Sequence, residues 1–213
     1  MWKKFAQANN WRCTDGGGDL PPSLHFGANY TFTPSIEMDM GNGLVCQLFG
    51  CSWDEEYSRG ALGRIDRALG GHRTLTSHYY TVASVRLQQD LPHIMLRNKT
   101  SKVKDRTEMT NATDLQLEGD FNKYFKLQIE KGQQVDALQV LTPDVMQTLL
   151  TYSSREDIEL SGKLLSFIIG GDKRDAADVQ ALIRSVFALT TQIMENLRLA
   201  GSLPPPQNIT AKS

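Results

Sequence analysis

Cysteine is scarce in this chain: only three occur among 213 residues, Cys13, Cys46 and Cys51. An odd number of cysteines argues against a framework of disulfides, and a reducing compartment suits free thiols better. Cys46 and Cys51 fall in one apolar run that we predict to be a strand. Side chains five residues apart on a strand point to opposite faces, so these two thiols cannot bind one metal ion together.

The chain also lacks an excess of charge of either sign and any long apolar run. It has 23 Lys and Arg against 24 Asp and Glu, a formal net charge of −1, so its overall charge does not favour nucleic acid or a membrane. The most apolar late run, "LLSFIIGG", is too short to cross a bilayer. The start, "MWKKFAQANNWRC", lacks the apolar segment of a signal peptide. We therefore predict no transmembrane segment and a cytoplasmic location, with the periphery of the inner membrane as the alternative.

Local catalytic motifs are missing as well. The glycine-rich segments 16–18, 60–63 and 70–71 lack the strand–turn–helix context and the Lys-Ser/Thr pair of a phosphate-binding loop. No G-x-S-x-G elbow occurs. The histidines are not spaced like metal ligands; they are His25, His72, His78 and His93. We therefore predict no catalytic residue, no cofactor and no metal site, and an enzyme would need a site assembled from distant residues.

Alternating apolar residues predict several strands. In "IEMDMGNGLVCQLFGCSW", Ile36 and Met38 alternate with acids, and the central "GNG" tolerates positive φ, so we predict a hairpin with one buried face. "YYTVASVRLQ" predicts a strand, and "LPHIML" a further extended segment. "DIELSGKLLSFII" predicts a second hairpin that turns at Ser161-Gly162-Lys163.

Helical periodicity appears at both ends and after residue 134. The first ten residues predict a short amphipathic helix. "VDALQVLTPDVMQTLLTY" predicts two short helices, the second capped by Thr142. A last helix of about 25 residues, capped by Asp172 or Asp175 and ended by Gly201, is predicted from an apolar stripe. The stripe consists of Val179, Leu182, Ile183, Val186, Phe187, Thr190, Ile193, Met194 and Leu197.

The segment "LEGDFNKYFKLQIEKG" combines acids and aromatics densely enough to suggest a working site. Phe121, Tyr124 and Phe125 have the i, i+3, i+4 spacing of one helical turn, and strand-like alternation stands on both sides. Glu118 and Asp120 precede the turn, where carboxylates suit free backbone N–H groups. We predict a one-turn corner whose aromatic residues pack into the core, and we favour this over an acid/base pair.

Two segments carry locally concentrated positive charge. Residues 59–73 contain four arginines and one acid, a net charge of +3, and residues 97–106 contain five basic residues and one acid, a net charge of +4. If the two loops meet, they form a basic patch that suits phosphates of lipid or nucleic acid. The candidate anion-binding residues are Arg59, Arg64, Arg67, Arg73, Arg97, Lys99, Lys102, Lys104 and Arg106.

The order of motifs resembles a family of uncharacterised bacterial proteins. The resembling motifs are F-A-x-x-N-x-W near the start, an F-N-x-x-F corner and an L-x-P-x-x-M-x-x-L helix, within residues 2–170. These motifs are aromatic and apolar, which is typical of structural positions. The resemblance implies no catalytic residue, and it implies frequent association of family members with membranes.

Together these patterns predict an α+β fold: one antiparallel sheet, short corner helices and a long C-terminal amphipathic helix on one face. Residues 1–200 would form the domain, and residues 201–213 a disordered proline-rich tail. We expect a non-catalytic soluble domain that acts through protein contacts. Weak binding of anionic surfaces by the loops 59–73 and 97–106 is the alternative, and an enzyme is the third. The sequence leaves the partner and the oligomeric state open.

Overall fold

The computed structural model of the chain describes residues 2–24, 30–56, 75–103, 109–153, 155–171 and 176–199. Its centre is an antiparallel sheet of eight strands, accompanied by helices, so the fold is α+β as predicted. The strands are β1 (Arg12–Thr14), β2 (Thr31–Phe32), β3 (Ser35–Gly41), β4 (Leu44–Glu56), β5 (Leu75–Asn98), β6 (Ala112–Leu115), β7 (Phe125–Glu130) and β8 (Asp157–Gly170). The helices are α1 (Trp2–Ala8), α2 (Phe121–Tyr124), α3 (Gln134–Val140), α4 (Pro143–Tyr152) and α5 (Ala176–Leu199), and a 3-10 helix spans Pro22–Leu24.

Strand β5 organises the sheet. One of its edges pairs with β8, and its other edge pairs first with β4 and then, nearer its end, with β7. On one side of the sheet, β4 pairs with β3, and β3 pairs with β1. Strand β2 also pairs with β4. On the other side, β7 pairs with β6. The sequence pattern of residues 54–77 predicted an insertion, but residues 54–56 belong to β4 and residues 75–77 to β5, because the two strands pair with each other there. Residues 57–74 lie outside the described residues.

The first predicted hairpin is confirmed as β3–β4. Asn42 and Gly43 connect the strands with φ of 53° and 75°, the positive values that a two-residue hairpin turn of the primed type requires. Ile36 pairs with Leu48 and Met38 with Cys46, and all four side chains are buried. Turn chemistry and alternation were therefore sufficient to locate this hairpin.

The predicted second hairpin at Ser161-Gly162-Lys163 is wrong. The segment is one strand, β8, that pairs with β5 along its length. Gly162 does have a positive φ of 56°. However, the chain does not reverse its direction there, because Gly162 lies at a shift of register between β5 and β8. A positive-φ residue is compatible with either a turn or a bulge, and the long partner strand decides between them.

The two extended segments "YYTVASVRLQ" and "LPHIML" form one continuous strand, β5, of 24 residues. Pro92 is tolerated inside it because it lies within the register shift between Leu91 and Ile94, where the ladder with β8 is interrupted. On the edge opposite β8, the first half of β5 pairs with β4 and its last residues pair with β7.

Both faces of the sheet are covered. A main core lies beneath the helices and includes Ala83, Val85 and Leu165. A smaller second cluster on the opposite face contains Leu24, Phe49, Cys51, Tyr80, Val82 and Ile168. Cys46 belongs to the main core and Cys51 to the second cluster, which confirms that the two thiols point to opposite faces.

Residues 17–24, here called the N-terminal strap, cover part of the second face. A Cβ atom on Gly17 would lie 2.4 Å from the ring of Phe32, and one on Gly18 would lie 2.5 Å from the ring of Phe49. Glycine is thus required here because the backbone passes directly over aromatic rings. The glycine-rich segment is a packing feature at these two positions.

The helices of the second half pack on the main core. Thr142 caps α4 by accepting a hydrogen bond from the Val145 amide, as predicted.

Helix α5 has 24 residues, and six of the predicted stripe residues are buried: Val179, Leu182, Val186, Thr190, Ile193 and Leu197. Ile183, Phe187 and Met194 are only partly buried. Leu189 is buried, although it was not part of the predicted stripe. The buried face of α5 therefore coincides with most of the predicted stripe and also includes Leu189, and it contacts α4 as well as the sheet. The proposed ends at Asp172, Asp175 and Gly201, and the tail 201–213, lie outside the described residues.

Candidate functional site

The candidate anion-binding residues fall into two groups. Six of them lie outside the described residues: Arg59, Arg64, Arg67, Arg73, Lys104 and Arg106. The other three, Arg97, Lys99 and Lys102, are at the end of β5 and in the segment that follows it. The structure therefore describes only the start of the loop 97–106. Contact between the loops 59–73 and 97–106 stays a prediction.

The described basic residues stand near a neighbouring strand that also carries charge. Arg97 is the direct partner of Lys126 in the β5–β7 ladder. Lys99 and Lys102 are exposed, and the Lys99 ammonium donates a hydrogen bond to the backbone carbonyl of Asn122. Three cations, Arg97, Lys99 and Lys126, thus occupy one end of the sheet.

Acids partly balance this charge. The Lys126 ammonium lies 3.1 Å from a carboxylate oxygen of Asp114. A hydrogen bond from Gln128, followed by the contact with Lys126, lowers the pKa of Asp114, so this carboxylate stays ionised. The sequence analysis did not include Lys126, although its place between Phe125 and Leu127 on an alternating strand predicts an outward side chain.

The aromatic corner is confirmed as packing for Phe121 and Phe125. The prediction is wrong for Tyr124, which is 54% exposed, because the helical turn ends at this residue and the chain continues as β7. Phe121 and Phe125 are 1% and 2% exposed, and their rings stack with centroids 5.0 Å apart. The expected capping by acids is wrong, because the Asp120 side chain makes no cap hydrogen bond and lies 2.7 Å from the Lys123 ammonium. The Asn122 side chain instead exchanges two hydrogen bonds with the backbone of Leu117 and so closes the corner.

The group that most resembles a catalytic site was missed by the sequence analysis. Glu159 is 1% exposed and accepts a hydrogen bond from the Ser23 amide at 3.2 Å and another from the Ser23 hydroxyl. Nε2 of His93 lies 3.1 Å from Glu159 Oε1. The only sequence signal was the alternation of acids with Ile158 and Leu160 in "DIEL", because Ser23 is 136 residues away.

The geometry of this group suits packing better than nucleophilic catalysis. A Ser–His–acid relay places the imidazole between the hydroxyl and the carboxylate, whereas here the Glu159 carboxylate lies between Ser23 and His93. A buried carboxylate must be hydrogen-bonded to remain stable inside a protein. Glu159 therefore ties the N-terminal strap to β8 and β5. Asp157 is buried on the same face of β8, and it accepts a hydrogen bond from the Asn98 amide at 2.8 Å.

The buried thiols are chemically quiet. Burial raises the pKa of both Cys46 and Cys51 to about 12. The thiolate is the nucleophile and the metal ligand, and it is scarce at neutral pH when the pKa is this high. All three cysteines are free.

Large apolar side chains are exposed on the helices α3 and α5. Val135 and Leu138 on α3 are 69% and 47% exposed, and Leu199, the last residue of α5, is 75% exposed. The Asn196 side chain donates a 2.6 Å hydrogen bond to the Thr142 hydroxyl. This bond places the last turn of α5 beside the junction of α3 and α4. We call Val135, Leu138 and Leu199 the α3–α5 end surface.

Within the described ranges, no group of three or more His, Cys, Asp or Glu side chains is arranged to hold a metal ion. The described helices include none that is long and apolar enough to cross a membrane.

Comparison with known proteins identifies the fold. No protein-family model matches the chain, and no curated protein matches it. A solved structure with a similar fold is the crystal structure of the mycobacterial trehalose monomycolate transport factor A, TtfA. It is 14% identical in sequence, the match covers 95% of this chain and 94% of that chain, and the TM-score is 0.55. At this identity the likeness establishes the α+β architecture that the two proteins share.

Proposed function

We propose that this protein is a non-catalytic domain that acts by binding another protein through the α3–α5 end surface. The observation that carries the proposal is the exposure of Val135, Leu138 and Leu199 on α3 and α5. The neighbour of similar fold is described as a transport factor, which is compatible with an accessory role.

The two faces of α3 show why the exposure is informative. Ala137 and Val140 point into the main core at 0% and 4% exposure, while Val135 and Leu138 point outward. Burying apolar area is favourable by about 25 cal/mol per Å². The outer residues therefore provide a driving force for association that the fold itself does not use.

The size of the surface indicates the kind of partner. A standard stable interface buries about 800 Å² on each partner, more than three side chains supply. Charge nearby is internally balanced, because Arg198 and Glu195 form an ion pair. We therefore propose a short apolar segment of a different protein as the occupant, and not a second copy of this chain.

Site-specific photocrosslinking tests this proposal. With a photoreactive amino acid at position 135 or 138, we expect one discrete adduct in cells that produce the protein. Leu199→Asp should remove the adduct and leave the free energy of unfolding within about 0.5 kcal/mol, because the side chain is exposed. Position 39, an exposed Asp on β3, serves as the control and should give no adduct.

Two results would contradict the proposal. An adduct of twice the chain's own mass would identify a second copy as the occupant. The absence of any adduct at positions 135 and 138, or equal crosslinking from position 39, would remove the protein-contact function.

We further propose a bacterial, cytoplasmic protein of the family that the motifs resemble. The motif residues have structural roles that fit such a family: Phe5 meets Trp11 edge to face with centroids 5.5 Å apart, and Leu141 and Leu149 are buried. The three free cysteines support a reducing compartment.

Binding of an anionic surface is the second candidate. It is favoured by the direct pairing of Arg97 with Lys126, with Lys99 two residues further along the chain. This arrangement concentrates three cations at one end of the sheet, although Asp114 balances one of them. The contact would be electrostatic and without preference for a particular headgroup.

Co-sedimentation with vesicles tests the second candidate. We expect binding to phosphatidylglycerol-containing vesicles that falls steeply as salt rises, and no binding to pure phosphatidylcholine. Lys99→Glu combined with Lys102→Glu and Lys126→Glu should abolish it. The same change of charge at the exposed residues Lys3, Lys4 and Lys131 is the control. Equal loss in both triple variants would show that net charge alone is responsible and would reject this surface.

A further inference from the structure

A cleft with a volume of about 420 Å³ opens on the second face of the sheet. Its walls are the N-terminal strap (residues 18–20 and Pro22), Arg86 of β5, and Ser161, Lys163 and Leu164 of β8. This volume is within the range of small-molecule sites, roughly 300–1,000 Å³. The cleft has no part in the protein contact proposed above.

The cleft exists because the sheet is irregular there. Arg86 pairs with Leu164, and the next matched pair is Leu91 with Gly162, so β5 contributes additional residues between them. Gly162 adopts a φ of 56° at this shift. Bulges of this kind redirect side chains and are frequent beside functional sites.

Two cations and one acid line the cleft. Nη2 of Arg86 lies 2.7 Å from Asp19 Oδ2. This contact orients the guanidinium and leaves its Nε and Nη1 donors for a ligand. Lys163 has no ion-pair partner in the described part of the chain. The charged residues that line the cleft therefore have a net charge of +1. Asp90 is a further acid close to Gly162, but it does not line the cleft.

Unpaired polar groups lie directly behind the wall formed by Arg86 and Leu164. Ser84 and Ser166 are the next register pair on the same face, and they are 2% and 0% exposed. Neither hydroxyl has a hydrogen-bond partner among the described residues. A buried hydroxyl without a hydrogen-bond partner destabilises a fold, so these two residues add polar character to the sheet beside the cleft.

We propose that the cleft binds a small organic anion. Its carboxylate or phosphate group would meet Arg86 and Lys163, since a guanidinium matches both oxyanions and an ammonium adds a second charge. Its apolar part would lie against Leu20, Pro22 and Leu164. The ligand class is thus a short amphiphilic acid or phosphate ester.

This site is tested by titrating the full chain with acetate, hexanoate, inorganic phosphate and hexyl phosphate. Calorimetry and NMR measure the binding. Hexanoate and hexyl phosphate should bind at least about tenfold more tightly than acetate and phosphate, because the added methylenes are partly buried. The preferred member of the hexyl pair identifies the charged group. Arg86→Gln and Lys163→Gln should each weaken binding about tenfold or more, as the loss of a charged hydrogen bond does.

Two further variants separate this site from general electrostatics. Asp19→Asn removes the acid that competes for Arg86 and should strengthen binding. Arg12→Gln is the matched control, because Arg12 is an exposed arginine ion-paired to Glu37 at 3.6 Å outside the cleft, and it should change nothing. Failure of every probe to bind, equal weakening by Arg12→Gln, or equal affinity for acetate and hexanoate would overturn the proposal.

Discussion

Replacing Phe125 by alanine should lower the free energy of unfolding by about 3–5 kcal/mol. Phe125 is 2% exposed and stacks on Phe121 in the main core. Truncation removes the buried ring and leaves a cavity that the corner cannot close, because the Asn122 side chain holds the corner to the Leu117 backbone. Chemical denaturation monitored by circular dichroism measures the loss.

Tyr124 provides the matched control for this experiment. It is adjacent in the same turn, but it is 54% exposed, so Tyr124→Ala should change the free energy of unfolding by no more than about 1 kcal/mol. Equal losses for the two variants would mean that Phe125 acts through the local turn and not through the core.

Replacing Val186 by aspartate should prevent folding. Val186 is 0% exposed in the middle of α5, and the substitution puts an unpaired carboxylate into the main core. An isolated buried charge costs many kcal/mol, and the whole stability of a domain is only about 5–15 kcal/mol. Circular dichroism and size-exclusion chromatography should show an unfolded or aggregated chain.

Arg184→Asp introduces the same residue two positions earlier, on the exposed side of α5. This variant should remain folded. A folded, monomeric Val186→Asp variant would show instead that α5 is not docked on the sheet. Phe187, which the sequence pattern placed in the stripe, is only partly buried and is the weaker position for this test.

Local features of the fold were predicted where neighbouring residues decide the structure. Asn42-Gly43 gave the hairpin turn, Thr142-Pro143 gave the start of α4, and the spacing of Phe121 and Phe125 gave the corner. The prediction failed at Gly162, because a positive-φ glycine between apolar runs does not reveal whether the chain reverses or continues. Continuous pairing with β5 decided that it continues.

In the candidate sites, too, the sequence predicted some residues and the tertiary structure added others. Arg97, Lys99 and Lys102 were identified from composition, but the structure added Lys126 as a cation and Asp114 as its balancing acid. Nothing local indicated that Ser23 would bond to Glu159. The exposure of Leu199 likewise depends on where α5 ends relative to α3 and α4.

By itself, the sequence determined the helical and strand periods, the turn at Asn42-Gly43, the cap at Thr142, the opposite faces of Cys46 and Cys51, and the α+β class. These depend on residues a few positions apart, whose geometry is set by backbone dihedrals and side-chain period. Only the tertiary structure decided the long pairing of β5 with β8, the strap over the second face, the cleft at Arg86 and the exposed end of the helices. Each of those results from contacts between segments far apart in the chain, where burial and register, and not local preference, determine which side chains meet.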